Sequence, residues 1–224
     1  MAVLDVEKNI SSPSGASCAQ DPITSWILKQ CKDHLLPTIT EFVNHSLSSG
    51  KFPKSITNAF VKPLIKKSSL ETSEYNNYRP LSNLGFVSKV IDMVVANQLH
   101  LYLCADNVDD EIHPAYIMNH SPETTLLKVI SDIHSCFDQD QDVIPMFLDL
   151  SVAFNNMDYD SLVGRFISRL DIKGVVFLWL NSYLLTRTQT ATIMGLMYVL
   201  VELLFGVPQG SVLALCYLFR RYCH

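Results

Sequence analysis

The spacing of apolar and polar residues changes several times along the chain, and each change predicts an element. Residues 1–20, "MAVLDVEKNISSPSGASCAQ", contain Ser, Pro and Gly, show no signal-peptide pattern, and read as a flexible linker. The following "DPITSWILKQCKDHLLPTITEFVNHSLSSGKFP" offers Asp21 as a cap, Pro22 in the first turn and apolar residues at helical spacing. It stops at Gly50 and Pro53, so a helical hairpin is expected. "ITNAFVKPLIKK" alternates and is rich in β-formers, which predicts a strand. "YRPLSNLGFVSKVIDMVVANQLHLYL" begins extended at its proline and becomes a long helix with Val87, Ile91, Val94, Val95, Leu99 and Leu103 on one face. "SPETTLLKVISDIHSCF" predicts another helix, with Ser121 as its cap and Glu123 in its first turn. "DVIPMFLDLSVAF" reads as a mostly buried strand ending near Asp149, "MDYDSLVGRFISRL" and "GVVFLWLNSYLLTR" as helices, and "QTATIMGLMYVLVELLFGVPQGS" as a β-hairpin running into a Gly/Pro turn. There is no strict βαβ alternation and no internal repeat, so the expected fold class is α+β with an antiparallel sheet.

A hydrophobic content of 48% in 224 residues is ample for a packed core. The net charge of -5 argues against binding nucleic acid by bulk attraction alone, but the charge is segregated. Between Lys51 and Leu70 there are five lysines and no acid, and between Val129 and Gly164 seven aspartates and no Lys or Arg. Six cysteines without a CxxC pair fit reduced thiols in a cytoplasmic or nuclear protein rather than a secreted one. The most apolar later stretch, residues 194–205, is too short to span a bilayer, so no membrane segment is expected.

Candidate chemistry begins with Asp149, a single carboxylate in "FLDLSVAF". An unpaired buried charge is costly enough that such groups neutralise, find a partner or bind a metal. Asp149 therefore reads as a solvated strand end, a buried salt bridge, a helix cap or a metal ligand. Mg²⁺ takes one or two carboxylates together with waters and phosphates, so a partner would be needed. Asp158 and Asp160 are near in sequence but fit the first turn of a helix equally well. Lys62, Lys66 and Lys67 are either a solvated strand edge or a cationic patch. "GVPQGSV", residues 206–212, is either a simple connection or a turn whose glycines permit close backbone approach.

Five segments, "NNYRPLSNLGFVSKVIDMVVANQL", "HSPETTLLKV", "FLDLSVAFNNMDYDSL", "LNSYLLTRTQ" and "GVPQGSVL", stand in the order and spacing of one known domain. From about Asp21 to Phe219 the chain resembles the reverse transcriptase domain of non-LTR retrotransposons, the LINE elements of the CR1, L2 and jockey-like kind. The resemblance implies a right-hand polymerase fold within residues 21–224, with fingers at about 51–131 and a partial palm at about 132–219. It implies an RNA-directed DNA polymerase using an RNA template, a DNA primer, deoxynucleoside triphosphates and Mg²⁺. Asp149 would then be the first catalytic aspartate and a metal ligand, and Leu150 would give its carbonyl to the metal. Phe154 matches the aromatic gate under the sugar, with core packing as its alternative. Gln209 and Gly210 match the loop that contacts nucleotide and template. Arg79 would face the nucleotide, and Lys62, Lys66 and Lys67 would face nucleic-acid phosphates.

The departures from that family are equally specific. Ile117 replaces an arginine, Asn155 and Tyr159 replace an Asp and a His, and Ala214 and Leu215 replace Gly-Pro. The paired aspartates of an aromatic-Ala-Asp-Asp hairpin and the thumb are missing, so a truncated chain without polymerase activity of its own is expected. The alternatives are a non-catalytic nucleic-acid-binding module and a non-functional remnant. Cys216, Cys223 and His224 form a Zn²⁺ candidate whose spacing fits no usual pattern. Truncation would also leave Val176, Phe177, Trp179, Leu180, Tyr183 and Leu184 partly uncovered.

Overall fold

The computed structural model describes residues 2–11, 18, 21, 23–105, 122–145, 158–168, 170–193, 196–208, 210, 211 and 213. Among these the chain forms seven α-helices and four strands. In order they are α1 (Ala2–Ser11), α2 (Ser25–Gln30), α3 (Lys32–Ser49), β1 (Asn58–Ile65), β2 (Tyr78–Leu84), α4 (Phe86–Ala105), α5 (Pro122–Phe137), α6 (Tyr159–Ser168), α7 (Gly174–Leu185), β3 (Thr188–Ile193) and β4 (Leu196–Glu202). No described helix is long and apolar enough to cross a membrane.

The α+β class is as expected, but the sheet is mixed rather than antiparallel. Its order is β2-β1-β3-β4. β1 pairs antiparallel with β2 from Ala59 opposite Leu84 to Ile65 opposite Tyr78, and β3 pairs antiparallel with β4. Between them, β1 and β3 run parallel, with Asn58 opposite Thr188 and Val61 opposite Ala191. Local alternation cannot reveal this, because the chain leaves β2 through helices before returning as β3, and such a long crossover permits parallel pairing.

Two further expectations are corrected at the amino end. Residues 2–11 of the expected linker are helical, and Val6 and Ile10, one turn apart, are buried in the core. The Ser, Pro and Gly that suggested a linker fall at 11–17, from the last residue of the helix onward. Asp21 caps a helix distant in sequence: the Phe86 N–H donates to its carboxylate oxygens at 3.0 and 3.2 Å, which satisfies an orphan amide at the start of α4. Gly50 ends α3 as read. At φ +65° it lets its own amide bond the Leu47 carbonyl and the Lys51 amide the Ser46 carbonyl, a Schellman closure.

The core lies between α1, α3, α4, α6 and α7. Val90, Ile91, Val94, Val95 and Leu99 line the buried face of α4. Phe52, Trp179 and Tyr183 interlock, Phe52 edge-on to both and the other two stacked at 5.5 Å. The Trp179 indole N–H donates to Ser46 Oγ at 2.9 Å, tying α7 to α3. Trp179, Leu180, Tyr183 and Leu184 are thus buried, contrary to expectation, whereas Val176 is exposed. Val175, Leu178 and Leu185 of α7 are exposed as well, and β4 adds a run in which every residue from Leu196 to Val201 is more than half exposed.

Residues 142–145 of the expected Asp149 strand are not in a strand, and Ile144 is 91% exposed. Pro145 has no N–H to give a ladder. Residues 146–157 lie outside the described residues.

Candidate functional site

The β1–β2 hairpin gathers several of the expected cations. Successive strand residues face opposite sides, and the register sets Lys62 opposite Leu81 and Leu64 opposite Arg79. Lys62 and Arg79 are therefore diagonal neighbours on one face, close enough for their side chains to act together. Lys66 follows directly, its amide bonded to the Asn77 carbonyl at 2.8 Å and its ammonium to the Asn76 carbonyl at 2.7 Å. Lys62, Lys66, Lys67 and Arg79 are all exposed, and Leu64 and Leu81 between them are about 43% and 44% exposed. The result is a solvated surface of alternating cations and apolar side chains on a rigid two-stranded ribbon.

The opposite face of the same strands carries the Gly/Pro turn. Val61, Pro80, Ser82, Gln189, Ala191, Val207 and Pro208 line a cleft of about 480 Å³. Val207 and Pro208 are buried, Ser211 is buried, and Gly210 between them is exposed. Gly210 has φ +125°, and a Cβ there would stand 2.6 Å from the Ser82 carbonyl oxygen. Both facts demand glycine, the first because L side chains avoid that conformation and the second because backbone cannot yield. The reading of these glycines as permitting close backbone approach is met at Gly210. Gly210→Ala is expected to cost about 1–3 kcal/mol in urea unfolding through this forced conformation alone. The structure does not bring the cations and this turn onto one face: they flank the hairpin from either side.

A buried polar cluster lies behind the turn, and the sequence reading missed it. Asp92 on α4 and Arg187, between α7 and β3, are each 1% exposed, with Arg187 Nη2 3.4 Å from Asp92 Oδ1. The guanidinium carbon lies 4.0 Å from the Tyr183 ring centroid and 4.5 Å from that of Phe52, so two aromatic faces replace part of its lost hydration. Arg187 Nη1 also donates to Ser88 Oγ at 3.4 Å. Asp92 Oδ2, Tyr183 Oη and Ser211 Oγ form a triangle with sides of 2.6 Å (Tyr183 to Ser211), 2.7 Å (Ser211 to Asp92) and 3.1 Å (Tyr183 to Asp92). Two hydroxyl protons serve three edges when Asp92 is ionised. The two short edges match a chain in which Tyr183 donates to Ser211 and Ser211 donates to Asp92. Burial pushes the Asp92 carboxyl up from the ordinary carboxylate range, while Arg187 and the two hydroxyls pull it back. Burial likewise raises the Tyr183 phenol.

The remaining candidates divide clearly. Asp149, Leu150, Phe154 and Gln209 lie outside the described residues, as do Ile117, Asn155, Ala214, Leu215, Cys216, Cys223 and His224. Asp158 proves to be the cap of α6, accepting from the Ser161 N–H at 2.9 Å and from Ser161 Oγ at 2.6 Å. Tyr159 is buried and donates to the Leu203 carbonyl at 3.0 Å, which a smaller side chain would not reach. Its phenol is pushed up to about 12 by burial. No group of three or more His, Cys, Asp or Glu that could hold a metal occurs among the described residues.

No family model matches the chain. It is 23% identical over 212 residues to the RNA-directed DNA polymerase from mobile element jockey of Drosophila melanogaster, a match covering 94% of this chain and 23% of that protein. It is 25% identical over 208 residues to the probable RNA-directed DNA polymerase from transposon BS of the same species, covering 93% and 23% of the two chains. The probable RNA-directed DNA polymerase from transposon X-element, also of that species, is 27% identical over 193 residues, with 86% and 21% covered. The chain spans less than a quarter of the length of these relatives. They bear out the resemblance to polymerases of LINE-type elements.

Proposed function

We propose that this chain is part of a reverse transcriptase domain of a non-LTR retrotransposon. In this reading it engages RNA template and DNA primer through the cationic face of the β1–β2 hairpin. The observation that supports it most is the match to three mobile-element polymerases along some nine-tenths of the chain. Residues 51–131 would act as fingers and 132–219 as part of the palm. Lys62, Lys66, Lys67 and Arg79 would neutralise phosphates, and Leu64 and Leu81 would give apolar contact to sugar or base. Gly210, with Gln209, would meet nucleotide or template at the exposed crest of the turn. Asp149 and the Leu150 carbonyl would serve Mg²⁺, whose contribution when bound is to activate the primer hydroxyl and neutralise the triphosphate. Phe154 would close the sugar site.

The 224-residue chain by itself is expected to bind without extending. Two divalent ions held close together require several carboxylates, and no aromatic-Ala-Asp-Asp run occurs in these residues. The test is an RNA template annealed to a fluorescent DNA primer. Anisotropy should show binding that weakens with salt, and gels should show no added nucleotide with Mg²⁺ or Mn²⁺. Mg²⁺-dependent incorporation that disappears in Asp149→Ala would overturn the second expectation, and absence of binding at low salt would overturn the reading.

A further inference from the structure

We propose that Arg187 and Asp92 form a clamp that positions the segment 203–211, and that Ser211 is the residue through which they act. Arg187 meets both ends of this segment. Its backbone carbonyl accepts the Leu203 N–H at 2.9 Å, and its guanidinium holds Asp92, whose other carboxylate oxygen accepts from Ser211 at 2.7 Å. Tyr183, stacked under the guanidinium, adds a hydroxyl 2.6 Å from that of Ser211. The closure joins Leu203 at one end and Ser211 at the other, and Gly210 rests against the Ser82 carbonyl between the two fastenings.

Packing alone does not explain this arrangement. A buried ion pair is usually no better for stability than apolar side chains of similar volume, because desolvation offsets its attraction. What charge and hydroxyls add over methyl groups is direction. A carboxylate with one oxygen held by a cation presents its other oxygen along a few lines, and Ser211 meets that oxygen only when the turn lies in one place. Cation, carboxylate, phenol and serine come from α4, α7, the α7–β3 junction and the turn, so the cluster ties the turn to the helical core on one side and to the sheet on the other. Its use in nucleotide or template contact rests on the reading above, whereas the clamp itself does not.

Hydrogen exchange of the 224-residue chain tests it, with Ser211→Ala, Tyr183→Phe and the double variant. Loss of one charge-assisted bond should raise exchange of the amides of 204–207, 210 and 211 roughly 10-fold or more in Ser211→Ala, with α4 and α7 unchanged. The double variant should exchange no faster than Ser211→Ala, because both hydroxyls act in one chain. The clamp is overturned if the turn amides keep their wild-type rate, or if α7 and the turn accelerate together. The same samples are titrated with the RNA–DNA primer–template. Weaker binding by Ser211→Ala than by wild type, at unchanged α7 exchange, is a shift that packing loss does not produce. If wild type fails to bind, the functional reading falls and the exchange data still decide the clamp. If wild type binds and the turn exchange does not move, the clamp falls alone.

Discussion

Arg187→Leu is expected to lower the unfolding free energy by about 3–5 kcal/mol, the cost of leaving a buried carboxylate without its cation. Asp92 is 1% exposed and, in this variant, keeps among the described residues the Ser211 hydroxyl as its donor, with Tyr183 behind it in the chain. Urea unfolding followed by tryptophan fluorescence suits the measurement, since Trp179 stacks on Tyr183 within the same cluster. The companion variant is the double replacement Arg187→Leu with Asp92→Leu. Removing both charges abolishes the uncompensated carboxylate, so the double variant should recover most of the stability that the single one loses. A double variant less stable than Arg187→Leu would show that the ion pair is itself a net source of stability. A single variant as stable as wild type would show that Asp92 is held neutral.

Trp179→Ala is expected to cost about 3–5 kcal/mol, the range for deleting a buried indole from a core that cannot collapse around the gap. The side chain is 2% exposed, stacks on Tyr183, takes Phe52 on its edge and anchors α7 to α3 through Ser46. Trp179→Phe keeps most of the ring contacts and loses the N–H, so a smaller loss of roughly 1 kcal/mol is expected from the hydrogen bond, with the lost volume added. The effects of Trp179→Ala and Arg187→Leu should not add, because both act on Tyr183 and Phe52. Equal destabilisation by the phenylalanine and alanine variants would contradict the packing account.

Local pattern predicted the helices α3 to α7 and the strands β1, β3 and β4, because each is a run whose own periodicity decides its state. Gly50 and Asp158 were legible as a helix stop and a helix start for the same reason. What depended on distant partners was not. Asp21 sits beside Pro22 and α2, yet its carboxylate serves Phe86. The parallel pairing of β1 with β3 is settled by the path of intervening helices, which no window of sequence contains. The buried cluster does carry a signal in the sequence. A lone charge in an apolar run drew attention to Asp149, and the same rule applies to Asp92 in "KVIDMVVA", which is 1% exposed. Its partner Arg187 lies 95 residues away and reads in sequence as the last residue of a helix, where a cation is ordinary. The motif resemblance directed attention to Gln209 and Gly210, while the side chain that fixes this turn is its neighbour Ser211.

The central claim is that the cationic face of the β1–β2 hairpin meets nucleic-acid phosphates. It is tested most directly by the salt dependence of primer–template binding, compared between wild type and the triple variant Lys62→Ala, Lys66→Ala, Arg79→Ala. All three positions are exposed on one ribbon, so the fold should tolerate the change, and circular dichroism should superimpose. Each phosphate contact contributes roughly one unit to the slope of log K against log salt. The account predicts a slope shallower by about 2–3 in the triple variant, with affinity lost most at low salt. An unchanged slope and affinity would place the nucleic-acid contacts elsewhere on the molecule and contradict it.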